Sequence, residues 1–356
     1  MNALKKIFVF IASFFMFFLL YGCTNRSAEE KTLEVNILKN AKMLHMDTLS
    51  VHGIDLSTAK QFYVYADSVL IVENNPHDGN WLIELHNLNT GNLFRKLFRI
   101  GRGHGEVLLS NVRLSGTQLI VYDFQQQKSC SINMDTLLFQ KQYEPQFIKH
   151  SESNAFSVAF LKGKPIMENS FVFEDENLDI HQKDQRILYC TTTKELKKQY
   201  KYDTQNVAGS GLIIVKPDNK KVVYASCHQS FLEVYDKNLN LMKAVKGPIL
   251  QDINYYIDEN NEIIFNKSIP YAYTNYYCTQ KEIGLIYYGA MVDASNDHLQ
   301  NHKAFLLQFD WDGNLKQTIA LGGYARTISQ SKMFKNTYYV CFLGANNELY
   351  LCKIHE

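Results

Sequence analysis

The sequence predicts an all-β fold, a six-bladed β-propeller closed by an amino-terminal strand. Three observations predict it. The chain carries 22 Tyr and 22 Phe, with many Val and Ile and only 6 Pro, a mixture that favours strands. Five strand–turn–strand units share one pattern, a polar turn followed by a leucine that opens the return strand. Those leucines, Leu93, Leu137, Leu196, Leu241 and Leu315, lie 44, 59, 45 and 74 residues apart, spacings in the range of four-stranded blades. No comparable helical periodicity lies between the units.

The clearest unit is 81–106, WLIELHNLNTGNLFRKLFRIGRGHGE. Leu82, Glu84 and Leu85 open a half-buried strand, Asn89-Thr90-Gly91 supplies residues that tolerate positive φ, and Leu93, Leu97 and Ile100 carry the return strand. The other turns are 133–137, 192–196, 237–241 and 311–315. Blades are expected at about 61–97, 111–143, 156–202, 211–246 and 263–321, and a sixth from Tyr324 to the end. That sixth blade has three strands, and segment 33–54 is expected to supply the fourth. Strands from both ends of the chain then close the ring and leave no free sheet edge.

The amino terminus reads as an export signal over residues 1–22. Lys5 and Lys6 precede the apolar run IFVFIASFFMFFLL, 14 residues long, short for a membrane-spanning helix and suited to a signal peptide. Leu20-Tyr21-Gly22-Cys23 then resembles the bacterial lipobox. Acylation of Cys23 makes the chain an outer-membrane lipoprotein of the cell envelope, held by several acyl chains. The alternatives are a cleaved secretory signal with an incidental cysteine, or an uncleaved anchor. Residues 23–32 form a polar tether, and 33–356 the propeller. Removing 1–22 takes away two lysines and leaves 35 basic against 36 acidic side chains. With no basic run beyond the first residues, nucleic acid is not an expected partner.

Gly101-Arg102-Gly103-His104-Gly105-Glu106, set after a hairpin strand, resembles the G-x-G-P-G-E signature of TolB-like six-bladed propeller lipoproteins of gut-type Gram-negative anaerobes, with His104 in the place of the proline. Strand 118–123 and the lipobox are also similar to that family. The resemblance implies a six-bladed propeller in the envelope and no particular activity. Two readings of the link remain open. Arg102, His104 and Glu106 project polar groups toward a ligand, or the glycines set backbone geometry and Glu106 ties down the turn.

Other constellations are weaker. Cys130, Cys190, Cys227 and Cys278 are scattered and read as small buried residues without zinc spacing. If Asn346-Asn347 is a two-residue turn, Cys341 faces Cys352, and an exported protein can oxidise that pair. Residues 293–297 have carboxylates at calcium-like spacing but lack the glycine and closing glutamate of an EF-hand, and His298 and His302 lie close by. Tyr271, Tyr273, Tyr276 and Tyr277 are a sugar platform or a packed strand. No nucleophile elbow, P-loop, dinucleotide fingerprint or HExxH zinc motif is present, and neither a metal nor a cofactor beyond the acyl lipid is expected. The expected function is binding of a ligand, a glycan, a peptide or an envelope protein on the glycine-link face. The alternatives are a lactonase- or lyase-like enzyme with an acid or metal cluster at the channel mouth, and a structural subunit of an envelope complex.

Overall fold

A computed structural model describes residues 29–356 apart from 50–58, 76–80, 109, 116, 124, 127, 141–143, 145, 150–163, 168–169, 175–185, 193–194, 203–210, 239, 250–254, 258–262, 266–267, 294–298 and 345–348. Residues 1–28, with the expected signal, Cys23 and most of the tether, lie outside the described residues, as does the loop 294–298. No helix of the described residues is long and apolar enough to cross a membrane.

The described chain is nearly all β. It opens with strand β1 (Glu29–Thr32), the one-turn helix α1 (Asn36–Lys39), β2 (Lys42–Met43) and β3 (His45–Leu49). Six antiparallel sheets come next in chain order. The first is β4 (Ala59–Tyr65), β5 (Val69–Asn74), β6 (Trp81–Asn87) and β7 (Leu93–Arg99). The second is β8 (Ser110–Ser115), β9 (Gln118–Asp123), β10 (Lys128–Asn133), then helix α2 (Met134–Phe139) and strand β11 (Ile148–Lys149). The third is β12 (Lys164–Met167), β13 (Ser170–Glu174), β14 (Arg186–Thr192) and β15 (Glu195–Tyr202). The fourth is β16 (Gly211–Val215), β17 (Lys221–Ser226), β18 (Phe231–Asp236) and β19 (Leu241–Lys246). A two-stranded hairpin, β20 (Tyr255–Ile257) and β21 (Ile263–Phe265), precedes the fifth sheet, β22 (Ser268–Cys278), β23 (Glu282–Asp293), β24 (Phe305–Asp310) and β25 (Leu315–Ala320). The sixth is β26 (Tyr324–Gln330), β27 (Tyr338–Leu343) and β28 (Leu349–His355), and its fourth strand is β3 from the other end of the chain, antiparallel to β28.

The middle strands β5 and β24 are buried on both faces. All six residues of β5, VLIVEN, are buried, and so are Leu306–Phe309 of β24. A strand covered on both sides reads as a continuous apolar run instead of an alternation, and each such Leu, Ile or Val contributes roughly 1.5–3 kcal/mol by leaving water. The covering layer is the neighbouring sheet. One apolar core joins sheets one and two, another four and five, another five and six. A further core packs Phe62, Val64, Leu70 and Val72 of sheet one against Tyr339, Cys341 and Leu351 of sheet six. Strand β12 of sheet three lies against β16 of sheet four.

Four of the five expected turns connect strands of one sheet. Three of them are held by a side chain at the end of the incoming strand. The Asp236 carboxylate accepts the backbone N–H of Asn238 and Asn240, Asp310 does the same for Asp312 and Asn314, and the Asn87 amide oxygen accepts those of Asn89 and Thr90. These are Asx turns, in which a short polar side chain replaces a backbone acceptor. The fifth expected turn, 133–137, is instead the start of α2. Asn133 accepts the N–H of Thr136 at 3.0 Å as a helix N-cap, and Leu137 is buried as a helical residue.

Two further differences come from pairing between distant segments. β1 adds to β19 and β2 to β25 as parallel fifth strands, so the expected tether is a strand from Glu29 onward. The hairpin of β27 and β28 is one residue out of the expected register. Cys341 faces Leu351 and Cys352 faces Val340. A one-residue slip turns a side chain to the other face. Cys341 accordingly packs against sheet one and Cys352 against sheet five, and both are free thiols.

Candidate functional site

The first strand of a sheet enters from the preceding link and leaves through a turn into the second strand. The glycine link 101–106 is at an entry, between β7 and β8. Part of its hydrogen bonding is local. Glu106 accepts the Gly103 N–H on its carboxylate at 2.7 Å, Gly103 accepts the Glu106 N–H, and Gly101 donates to the Val107 carbonyl. A Cβ on Gly101 or Gly103 would lie 2.1 or 2.9 Å from Glu106 Oε2, and Gly105 has φ +80°. Two glycines therefore make room for the glutamate and the third makes the turn. Behind the link, the fully buried Asp123 carboxylate accepts Leu108 N–H, Gln126 N–H and the Gln126 side-chain amide, which also donates to the carbonyls of Gly101 and Glu106. Lys128, 5% exposed, donates to the Glu106 carbonyl. Arg102 and His104 are exposed on this loop.

A cavity lies elsewhere. It measures about 860 Å³, and among the described residues it is lined by first strands of five sheets and by the turns that leave two of them. Its wall includes Tyr63, Val112, Leu114, Leu212, Val215 and Ile328, and its rim is formed by 279–282 and 331–336. Arg102, His104 and Glu106 do not line it. Of the tyrosine cluster, Tyr276 and Tyr277 reach the lining, while Tyr273 is fully buried in the core between sheets four and five.

Four lysines and two glutamates belong to the lining. Both glutamates are engaged. Glu73, 2% exposed, accepts from Lys60 at 2.9 Å, and Lys60 also donates to the Ser110 carbonyl. Glu282 accepts from the Tyr277 hydroxyl at 2.9 Å and from the Gln330 amide at 2.7 Å on one oxygen. Gln308 in turn donates to the hydroxyls of Tyr277 and Tyr338. Burial first, then the charges of Tyr338 and Glu282, push the Tyr277 hydroxyl well above its ordinary pKa, so it stays a neutral donor. Lys281, Lys332 and Lys335 lie on the rim, exposed.

The rim segment 331–336 is placed by sheet one. Ala66 and Asp67, at φ 47° and 52°, make the tight turn from β4 to β5. The Asp67 carboxylate accepts the Met333 N–H at 2.9 Å and the Tyr339 hydroxyl at 3.0 Å. Lys332 lies over the Tyr65 ring, its Nζ 4.1 Å from the centroid. Burial lowers its ammonium pKa, against the pull of Asp135 and Asp67. Met333 and Phe334 are left 68% and 51% exposed. No sequence motif marks this rim. Its only signal is the run SKMFK, two lysines around two large apolar residues in a turn.

No family model matches the sequence, and no curated protein matches it. Solved structures do. The chain is similar to a crystal structure of a member of the DUF4221 family from Bacteroides vulgatus, at 9% identity over 88% of this chain and 96% of that one, with a TM-score of 0.51. It is also similar to a protein of Bacteroides fragilis predicted to be exported, at 10% identity over 92% of this chain and 99% of that one, with a TM-score of 0.48. A β-propeller domain of Myceliophteria thermophila Cps50 (Swd1) aligns at 10% identity over 86% of this chain and 99% of that one, with a TM-score of 0.37. The likeness to the Bacteroides vulgatus protein is one of fold.

Proposed function

We propose that the protein is a lipid-anchored propeller of the cell envelope that binds a small anionic amphiphile in its central cavity. The observation that carries this reading is the cavity's charge. Four lysines against two glutamates line it, and Lys281, Lys332 and Lys335 stand at the rim above an apolar wall. A volume of about 860 Å³ is of the size that holds a small ligand, and a cationic rim attracts an anionic headgroup. Closure of the six sheets into one ring is supported by the core between sheets six and one and by β3 completing sheet six. The TolB-like assignment rests on the glycine link, and the lipid anchor and export to the envelope on Lys5 to Cys23.

The test is a thermal-shift and calorimetry screen of the purified full chain in detergent against fatty acids, lysophospholipids, acidic peptides and neutral glycans. A fatty acid or lysophospholipid is expected to stabilise the chain. Lys335→Glu is expected to weaken that binding about tenfold, roughly 1.4 kcal/mol, and Arg102→Ala to leave it unchanged. Preference for a neutral glycan, or binding lost with Arg102→Ala and kept with Lys335→Glu, would return the site to the glycine link.

A further inference from the structure

The seam that joins the two ends of the chain holds a second cluster. Antiparallel pairing of β28 with β3 sets His355 directly opposite His45 and Lys353 opposite Asp47. Side chains two apart on a strand share a face, so His45, Asp47 and His355 stand together on one side of the seam. His45 Nε2 lies 3.1 Å from Asp47 Oδ1 and His355 Nε2 lies 2.8 Å from Asp47 Oδ2. One ligand atom from each residue falls within 4.8 Å of the other two. The two imidazoles meet edge to face at 82°, with centroids 5.2 Å apart, so they approach the carboxylate from different directions.

We propose that His45, Asp47 and His355 form a site for a divalent transition metal of the zinc type, which staples strand β3 to strand β28. Nδ1 of His355 is 3.0 Å from the Glu356 carbonyl oxygen, which can only accept. With the proton on Nδ1, Nε2 faces a carboxylate oxygen at 2.8 Å, a contact that either a second proton on the ring or a metal ion satisfies. A metal-ligating histidine is usually held in this way, its other ring nitrogen donating to a carbonyl. Two imidazole nitrogens and one carboxylate suit zinc, nickel or copper better than calcium or magnesium, and three protein ligands leave a position for water. Of the cations nearby, Lys42 pairs with Glu356, and Lys353 lies over the Phe334 ring at 5.2 Å. The charge of Lys353 also acts on Asp47 and His355. His45 and Asp47 come from the segment preceding the six sheets and His355 from the last strand, so a bound ion would resist separation of the closing strand.

The experiment is zinc titration by calorimetry and thermal denaturation of the untagged full chain in detergent, after removal of metals by chelation. One zinc per chain and a rise in Tm of roughly 4 °C at saturating zinc are expected. His45→Ala and His355→Ala should each weaken uptake at least about 100-fold. These side chains are 69% and 30% exposed, so metal-free variants should melt within about 2 °C of the parent. Visible absorption of the cobalt(II) form should show a four-coordinate site in the parent and lose it in both variants. No saturable zinc uptake, equal uptake by the variants, or an equal Tm rise with calcium would overturn the proposal.

Discussion

The two ends of an inner strand are built on opposite plans. At the entry of β8, the polar groups of the link find partners within it and in the strands behind. Glu106 fills the space that Gly101 and Gly103 leave, and Asp123, Gln126 and Lys128 take up the backbone groups around it. At the exit of β26, the anchoring is done by Asp67 from another sheet, and Met333, Phe334 and two lysines are left facing outward. The conspicuous motif is thus a hydrogen-bonded joint, while the rim proposed to meet a ligand has no motif. Glycines at fixed spacing are visible because backbone geometry demands them. A rim that presents side chains to solvent makes no such demand on its sequence.

The contrast can be broken by substitution. The largest effect is expected at the joint. Asp123→Ala takes the acceptor from two part-buried backbone donors and one of three acceptors from the Gln126 amide and should cost about 3 kcal/mol in urea denaturation; a loss below about 1 kcal/mol would show that water replaces the carboxylate. Gly101→Ala forces the Glu106 carboxylate aside and should cost about 2 kcal/mol with no effect on binding. The substitution is best read in parallel by denaturation and by calorimetry with the best ligand of the screen.

At the rim, Asp67→Asn keeps a residue that tolerates positive φ but weakens acceptance from Met333 and Tyr339. About 1.5 kcal/mol of stability should be lost, and amide exchange of 332–336 should accelerate while that of 101–108 stays unchanged. Acceleration at both ends would mean that the two regions are one cooperative unit. The smallest effect is a pH dependence of the turn between β24 and β25. Desolvation raises the Asp310 pKa, but hydrogen bonds from the Asn314 backbone and side chain, Lys316 and the Asp312 backbone outweigh it and hold the carboxyl below its ordinary value. A depressed folded-state pKa contributes stability above the unfolded value, near 4, that is lost as pH falls through the folded value. Asp310→Asn should remove less than roughly 1 kcal/mol at neutral pH and flatten that part of the acid limb in pH-dependent denaturation.

Much of the architecture is readable in the sequence because it is local. Turns such as 87–93 and 310–315 carry their own acceptor, and the runs in β5 and β24 announce burial on both faces. The segment 133–137 departs from the expected turn because Asn serves equally as a turn residue and as a helix N-cap, and the packing of Met134 and Leu137 decides between them. Cys341 and Cys352 depart from the expected pairing because a slip of one residue reverses the face of every side chain. The cavity rim leaves no trace in the sequence beyond the run SKMFK because Asp67 and the segment 331–336 are more than 260 residues apart.

The amino acids by themselves determined the β class, the sheet repeat, the Asx-held turns and the need for an amino-terminal strand in the last sheet, since each arises from short-range periodicity or from a missing strand. Tertiary structure alone decided which turn became a helix, which way Cys341 and Cys352 face, and that β1 and β2 add parallel strands to distant sheets. It also decided that the lysine rim lies over a cavity and that two histidines and an aspartate meet at the seam. Those outcomes depend on contacts between residues far apart in the chain, whose strength is set by distance and burial, and neither quantity is written in local sequence.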